Sequence, residues 1–372
     1  MKICFLQSTH WTATMGGAEL QIRYLMEYLS QNPENEITYI CRNVIETGSL
    51  KEKIIRLKPL PYLKKFSKAI DAFQIRRAIL KLKPDVIYIR GDSPYLGIAV
   101  CCKKRIPVNV IWHIAHIRDV KKFKVDLASM ESIFRFIDRK IFERGIAGAD
   151  YIIAQADYQQ KLLKQNFNTA CSETIYNFHP FHQYKKTESN SVLTISWIAN
   201  IKPAKKVDHF LKLASKFSDQ ENVQFKIAGD CQYPELCSAI KNACRQQQNI
   251  HYYGKLDIND INSLLNDSDI FVSTSDSEGF PNTFIHAWLH AVPVLSLNFD
   301  PDDIIRKYGL GLVSNDFESL VQNLNRLISD TQLRKNLGKN GYDFALRNFN
   351  NENLHRLSTY FYKKPVAKIK RS

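Results

Sequence analysis

An α/β fold of two doubly wound, Rossmann-like domains is predicted by three features of this 372-residue chain. Short apolar, β-rich runs alternate with longer stretches of helical period, the alternation comes in two series, and a polar aperiodic segment separates them. A chain of this length also exceeds what one ordinary core supports, so two domains are the natural expectation. In the first series, strands are expected at 2–6, 37–41, 85–89, 108–112 and 151–154. Between the first two, Leu20, Tyr24, Leu25, Tyr28 and Leu29 share one face of a helix over 19–29, which completes a strand, loop, helix, strand unit. The second series predicts strands at 192–198, 223–228, 250–253, 270–273, 292–295 and 311–313. Residues 179–191, HPFHQYKKTESNS, lack periodicity and read as the linker, giving a first domain over 1–180 and a second over 190–349. Ligands of such sheets bind beyond the carboxyl ends of the strands, so two facing domains would enclose a central cleft.

Composition narrows the class. Hydrophobic residues at 44% and charged residues at 24% fit a soluble globular protein. The longest apolar run, 95–102, is too short to cross a bilayer. The opening MKICFL reads as a buried strand rather than a secretory signal. None of the eight cysteines forms a CxxC or a Cys/His zinc spacing, and several lie in apolar runs, so reduced thiols and a cytoplasmic setting are expected. The net charge of +15 is unevenly placed: residues 51–85 hold eleven Lys/Arg against three Asp/Glu, and 363–372 hold five against none. Such clusters suit an anionic membrane surface or nucleic acid, and equally a solvated helical face. Residues 51–83 and 121–144 interleave the charges with Leu63, Phe66, Ile70, Phe73, Phe123, Phe134, Phe136 and Phe142, as basic amphipathic helices on lipid do. No RNP motif, zinc finger or basic zipper accompanies the charge, so nucleic acid is not the expected partner.

The stretch TSDSEGFPNTFIHAW, 274–288, carries the chemistry. It follows a strand and so falls at the predicted crevice. Gly279 allows close backbone approach, and a helix starting near Pro281 and Asn282 aims unpaired N–H groups and a positive dipole end at a phosphate. Glu278, just before that helix, can accept hydrogen bonds from neutral hydroxyls. Phosphate and hydroxyls together describe a nucleotide sugar.

Here the sequence resembles retaining glycosyltransferases of the GT-B fold, glycosyltransferase family 4. Ser275, Glu278, Gly279, Phe280 and Pro281 match the family's Ser-x-x-Glu-Gly-Phe-Pro, and Ala291, Pro293 and Val294 match its small-Gly-x-Pro-Val. The resemblance implies that Glu278 contacts the donor sugar and that Gly279, Phe280, Pro281, Asn282 and Thr283 contact sugar and diphosphate. The family's second glutamate, which holds the ribose hydroxyls, is replaced by His286, whose neutral imidazole offers one donor and one acceptor where a carboxylate offers two acceptors.

Separated motifs extend the match. Gly16 and Gly17, in GGAE before the first helix, resemble the loop whose glycines approach acceptor and donor phosphates. KPDVI at 83–87 resembles a family strand, and PVNVIWH at 107–113 resembles the strand ending in a histidine that faces the donor sugar. His113 is the catalytic candidate on that basis, with His116 second. IANIKPAKKVD at 198–208 resembles VGRLxPxKGVD, in which an Arg and a Lys neutralise the diphosphate. Lys205 holds the lysine position, Asn200 replaces the arginine, and Lys202 or Lys206 are the candidates to compensate. FKIAGD and YYGK place Gly229 and Gly254 near the donor base, and Tyr176-Asn177 resembles a domain-crossing element. The resemblance also implies that residues 350–372 pack back on the first domain.

Together these imply transfer of a sugar from a UDP- or GDP-linked donor to a glycan or lipid-linked acceptor, with retention at the anomeric carbon and no metal, in cell-surface polysaccharide or glycolipid synthesis on the cytoplasmic face of the membrane. Asp267-Ser268-Asp269 and Asp300-Pro301-Asp302 have the Asp-x-Asp spacing of metal-dependent transferases but fit that role poorly in position. A nucleotide-sugar epimerase of the same fold and a basic nucleic-acid-binding protein are the alternatives.

Overall fold

The computed structural model of the chain describes residues 1–45, 52–58, 71–122, 129–181 and 192–363. It divides into two compact units, Met1–Phe178 with Glu352–Ser372, and His179–Asn351.

The first unit is built on strands β1 (Lys2–Leu6), β2 (Glu36–Cys41), β3 (Lys53–Arg56), β4 (Val86–Arg90), β5 (Asn109–His113), β6 (Tyr151–Ala154) and β7 (Glu173–Thr174). They form a seven-stranded parallel sheet in the order β3-β2-β1-β4-β5-β6-β7. Alternate residues of each strand feed opposite cores, as a sheet covered by helices on both faces requires. Cys4, Leu6, Ile87, Ile89, Val110 and Trp112 pack on one side with the helices Ala72–Leu82, Tyr95–Cys102 and Met130–Gly148. Ile3, Phe5, Val86, Tyr88 and Ile111 pack on the other with the helix Gly17–Leu29. Leu354, Leu357, Tyr360 and Phe361 of the last helix, Asn351–Tyr362, join this second core.

The second unit carries β8 (Leu193–Ile198), β9 (Val223–Ala228), β10 (Ile250–Tyr252), β11 (Ile270–Ser273), β12 (Val294–Leu297) and β13 (Gly311–Ser314), in the order β10-β9-β8-β11-β12-β13. One face packs Ile195, Trp197, Val272 and Leu295 against Phe210, Leu213, Leu320 and Leu324. On the other, Phe271 meets Phe284, and Trp288 meets Phe344 and stacks on Phe349.

Eleven of these thirteen strands lie where periodicity puts them, with ends shifted by one or two residues. The other two, β3 and β7, lack the signal: β3 is four residues, KIIR, inside a lysine-rich stretch, and β7 is two residues long. One expectation is corrected. Cys231 and Cys237 are joined by a disulfide, because the end of β9 and the start of the helix Pro234–Gln246 bring their Cα atoms to 5.9 Å. The other six cysteines are free thiols, and burial pushes Cys41 and Cys171 up to about 12. Most of the linker at 182–191, the stretches 46–51, 59–70 and 123–128, and the basic tail beyond 363 lie outside the described residues.

Candidate active site

In the second unit the chain leaves β8 for β9 on one side and later enters β11 on the other, so the loops beyond β8 and β11 part and leave a crevice between them. Both loops carry charge there. Lys205 ends a 3-10 turn, Pro203–Lys205, beyond β8, and its Nζ donates to Oε1 of Glu278, beyond β11. Next to it, Lys206 Nζ pairs with Asp276 Oδ2 at 2.5 Å. Lys206 has a positive φ of 50°, in the position where the resembling motif has glycine.

Thr274 fastens the two loops together. Fully buried, its Oγ1 lies 2.7 Å from the Lys205 carbonyl and 2.9 Å from that of Lys206, to which it donates its one proton, and it accepts from Trp197 Nε1 at 2.9 Å. The backbone carrying Lys205 is therefore held against the end of β11. Sequence reading missed this residue, and its only signal was a threonine ending a buried strand.

Glu278, Gly279, Phe280 and Pro281 lead into the helix Asn282–Leu289, with Pro281 as its extended N-cap. Thr283, with Asn282, lies in its first turn. Phe280 is buried against Phe349. Deeper in the helix, His286 is 6% exposed, and neither ring nitrogen has a hydrogen-bond partner. Its ring meets that of His179 edge-on at 3.8 Å, and its carbonyl contacts His290 Nδ1 at 2.8 Å. Burial, with His290 second, lowers its pKa to about 3, so the imidazole is neutral.

Asn200 sits half-buried just beyond β8, where it supplies no charge. Lys202 is exposed, and Lys206 is paired with Asp276. Gly229 is required by packing: a Cβ there would lie 1.7 Å from the Ala199 carbonyl, at φ +151°. Gly254, at φ +70°, has open space around it. One carboxylate of each Asp-x-Asp triplet has backbone work: Asp269 accepts from Thr194 N–H, and Asp300 from Ile305 and Arg306 N–H.

In the first unit the corresponding crevice lies between β1 and β4. Gly16 is the N-cap of Gly17–Leu29, and a Cβ on it would meet the Glu19 carboxylate at 2.5 Å. His113 ends β5, 2% exposed. Its Nδ1 is 2.7 Å from the Tyr88 hydroxyl and 3.0 Å from Arg90 Nη1. Burial first, and the Arg90 charge second, hold its pKa well below the usual histidine value. Arg90, 5% exposed at the end of β4, also donates to Gln155 Oε1 at 3.0 Å and Asn177 Oδ1 at 2.6 Å. Arg90 was not singled out in the sequence, although a basic residue closing the apolar run VIYIR was a visible signal. His116 does local work: its Nδ1 caps the turn Ile117–Val120 through Arg118 N–H.

Parallel sheets of this order, each with a crevice at its switch point, define the class of doubly wound, Rossmann-like α/β folds. Solved structures fix the fold within it. The chain superposes on sucrose-phosphate synthase from Thermosynechococcus elongatus with a TM-score of 0.76 at 14% identity, covering 97% of this chain and 98% of that one. It superposes on Anabaena HepE in complex with UDP and glucose with a TM-score of 0.72 at 17% identity, covering 96% and 98%. A curated relative, the N,N'-diacetylbacillosaminyl-diphospho-undecaprenol alpha-1,3-N-acetylgalactosaminyltransferase of Campylobacter jejuni, is 24% identical over 311 residues, 78% of each chain. The model of Glycosyltransferase Family 4 matches residues 15–179, and that of Glycosyl transferases group 1 matches 181–344. The chain belongs to this family of GT-B glycosyltransferases.

Proposed function

We propose that the protein moves a sugar from a UDP- or GDP-linked donor to a glycan or lipid-linked acceptor, with retention at the anomeric carbon and without a metal. The observation that carries this reading is the Lys205–Glu278 pair across the β8/β11 switch point. In the reaction the bond from the anomeric carbon to the diphosphate oxygen breaks as the acceptor hydroxyl oxygen bonds that carbon on the same face, and the acceptor's proton passes to the departing diphosphate. The carbon gains oxocarbenium character on the way, and negative charge grows on the leaving diphosphate. A fixed ammonium and the first N–H groups of the helix Asn282–Leu289 stabilise that charge without giving up a proton. Lys205 exchanges its carboxylate partner for phosphate oxygens, and Glu278 then accepts hydrogen bonds from the sugar hydroxyls. Gly279 through Thr283 supply backbone to sugar and diphosphate, and Gly229 and Asn200 border the nucleotide. His286 offers its unpartnered ring to a ribose hydroxyl. By their place in the family pattern, His113 is assigned to the donor sugar and Gly16 and Gly17 to the phosphates.

A UDP-linked donor is supported by the UDP complex of the Anabaena structure, and a lipid-diphosphate acceptor by the named activity of the Campylobacter relative. Such a chemistry belongs to cell-surface polysaccharide or glycolipid synthesis at the cytoplasmic face of a membrane. An anionic membrane partner is supported by the helix Met130–Gly148, which exposes Ile133, Phe136 and Ile137 beside Arg135 and Lys140. Among the described residues no helix is long and apolar enough to cross a membrane. A thermal-shift screen of UDP-, GDP- and ADP-sugars with and without chelator tests the reading. Stabilisation by one donor that persists in chelator supports it, and no response to any donor overturns it.

A further inference from the structure

The polar network around His113 has a feature that simple burial does not require. Arg90 is a buried guanidinium whose side-chain partners are all neutral: Tyr88 Oη at 3.4 Å, His113 Nδ1 at 3.0 Å, Gln155 Oε1 and Asn177 Oδ1. Burying a cation without a carboxylate is costly, so an arrangement that retains one calls for a use of its charge or its donors. The donor inventory supplies that use.

A guanidinium can only donate. Where Arg90 donates to the Tyr88 oxygen, the phenol proton must go elsewhere, and the acceptor within reach is His113 Nδ1, at 2.7 Å. Burial also raises the Tyr88 pKa, so the phenol keeps its proton. Nδ1 therefore faces two donors, the phenol O–H and Arg90 Nη1–H, and must itself be unprotonated. The same Nη1 lies farther from Nε2, at 3.4 Å. A neutral imidazole without a proton on Nδ1 carries it on Nε2.

We propose that Arg90 and Tyr88 are positioning residues that lock His113 as the neutral, Nε2-protonated tautomer, so that the end of β5 presents a fixed N–H donor to a sugar hydroxyl or ring oxygen rather than a base. The consequence for the substrate rests on His113 belonging to the transferase site, whereas the tautomer is a property of the free protein. The assignment gives His113 a defined part in the reaction: it orients the donor and takes no proton from the acceptor, which suits a transfer driven by charge on the leaving diphosphate.

The test is a long-range proton–nitrogen correlation spectrum of the full chain with nitrogen-labelled histidine, with His113→Gln used to assign one of the ten histidines. At pH 7 the wild-type His113 is expected to show a protonated Nε2 and a bare Nδ1. Arg90→Met frees the Tyr88 oxygen to accept, so an Nδ1-protonated population should appear and turnover should fall about tenfold, the scale of a misoriented contact. Arg90→Lys, which still donates, should restore both. A wild-type His113 protonated on Nδ1 or on both nitrogens overturns the proposal, and so does an Arg90→Met spectrum identical to wild type. If Arg90→Met fails to fold, the wild-type spectrum alone decides. Undiminished turnover in His113→Ala would instead remove His113 from the transferase site and leave the tautomer assignment standing.

Discussion

Lys205 and Glu278 form an ion pair across the β8/β11 switch point, each carried on its own loop beyond the end of a parallel strand. The pair is partly exposed, so its contribution to stability is small, and its significance lies in what it holds ready. A lysine already fixed beside a carboxylate needs little reorganisation to meet a phosphate. Lys205→Met should therefore lower turnover by about a hundredfold to a thousandfold, the scale of removing one preorganised charge-stabilising donor. Glu278→Ala should abolish turnover, which a coupled assay for released nucleoside diphosphate will show.

Thr274 should affect catalysis without touching substrate. Thr274→Val keeps the volume but leaves Trp197 Nε1–H without its buried acceptor and releases the carbonyls of Lys205 and Lys206. Stability should fall by about 1–3 kcal/mol. The rate constant kcat should fall about tenfold with KM for the donor nearly unchanged, because Lys205 loses its alignment rather than its charge. Thr274→Ser should restore both. Equal kcat in the valine and wild-type proteins would remove the positioning role.

Acid should destabilise the second unit through His286. Its folded pKa, about 3, lies below the ordinary value of 6.5, so on acidification the unfolded chain takes up a proton that the folded site refuses. Stability contributed by the neutral buried ring is fully present above 6.5 and declines as pH falls toward 3, by up to about 1.4 kcal/mol per pH unit. The lowered pKa of His290 acts in the same direction. Urea unfolding of His286→Leu should thus show about 1 kcal/mol less loss than wild type between pH 7.5 and 5.5.

Ala291 stands at φ 52°, in the position where the resembling motif has glycine. An L-residue there costs about 1–2 kcal/mol, partly offset because glycine has the freer unfolded chain. Ala291→Gly is expected to raise stability by about 0.5–1 kcal/mol, read as a higher denaturant midpoint at unchanged slope.

The fold was legible because both sheets are buried on two faces, and β-branched runs such as VIYIR and IFVS announce such strands without tertiary information. Glu278 and Lys205 were legible because each sits in a motif fixed by a strand end and a turn. What stayed hidden depends on residues distant in sequence. Thr274 matters through its reach across to Lys205, and Arg90 through side chains on four different segments. The Cys231–Cys237 bridge hides for a related reason, since only the turn between β9 and its helix brings the two thiols together. His286 was seen as a lost carboxylate, but its burial against His179 was not encoded in helical spacing.

In the proposed reaction Lys205 and Glu278 grip opposite parts of one nucleotide sugar. Calorimetric titration of UDP, GDP and ADP into wild type, Lys205→Met and Glu278→Gln separates the two grips. One diphosphate is expected to bind wild type, Lys205→Met to weaken that binding at least about tenfold, the worth of about 1.4 kcal/mol, and Glu278→Gln to bind it as well or better because the lysine no longer has a competing carboxylate. Equal affinity in Lys205→Met and wild type, or a Glu278→Gln protein that loses the bare diphosphate, would contradict that reading.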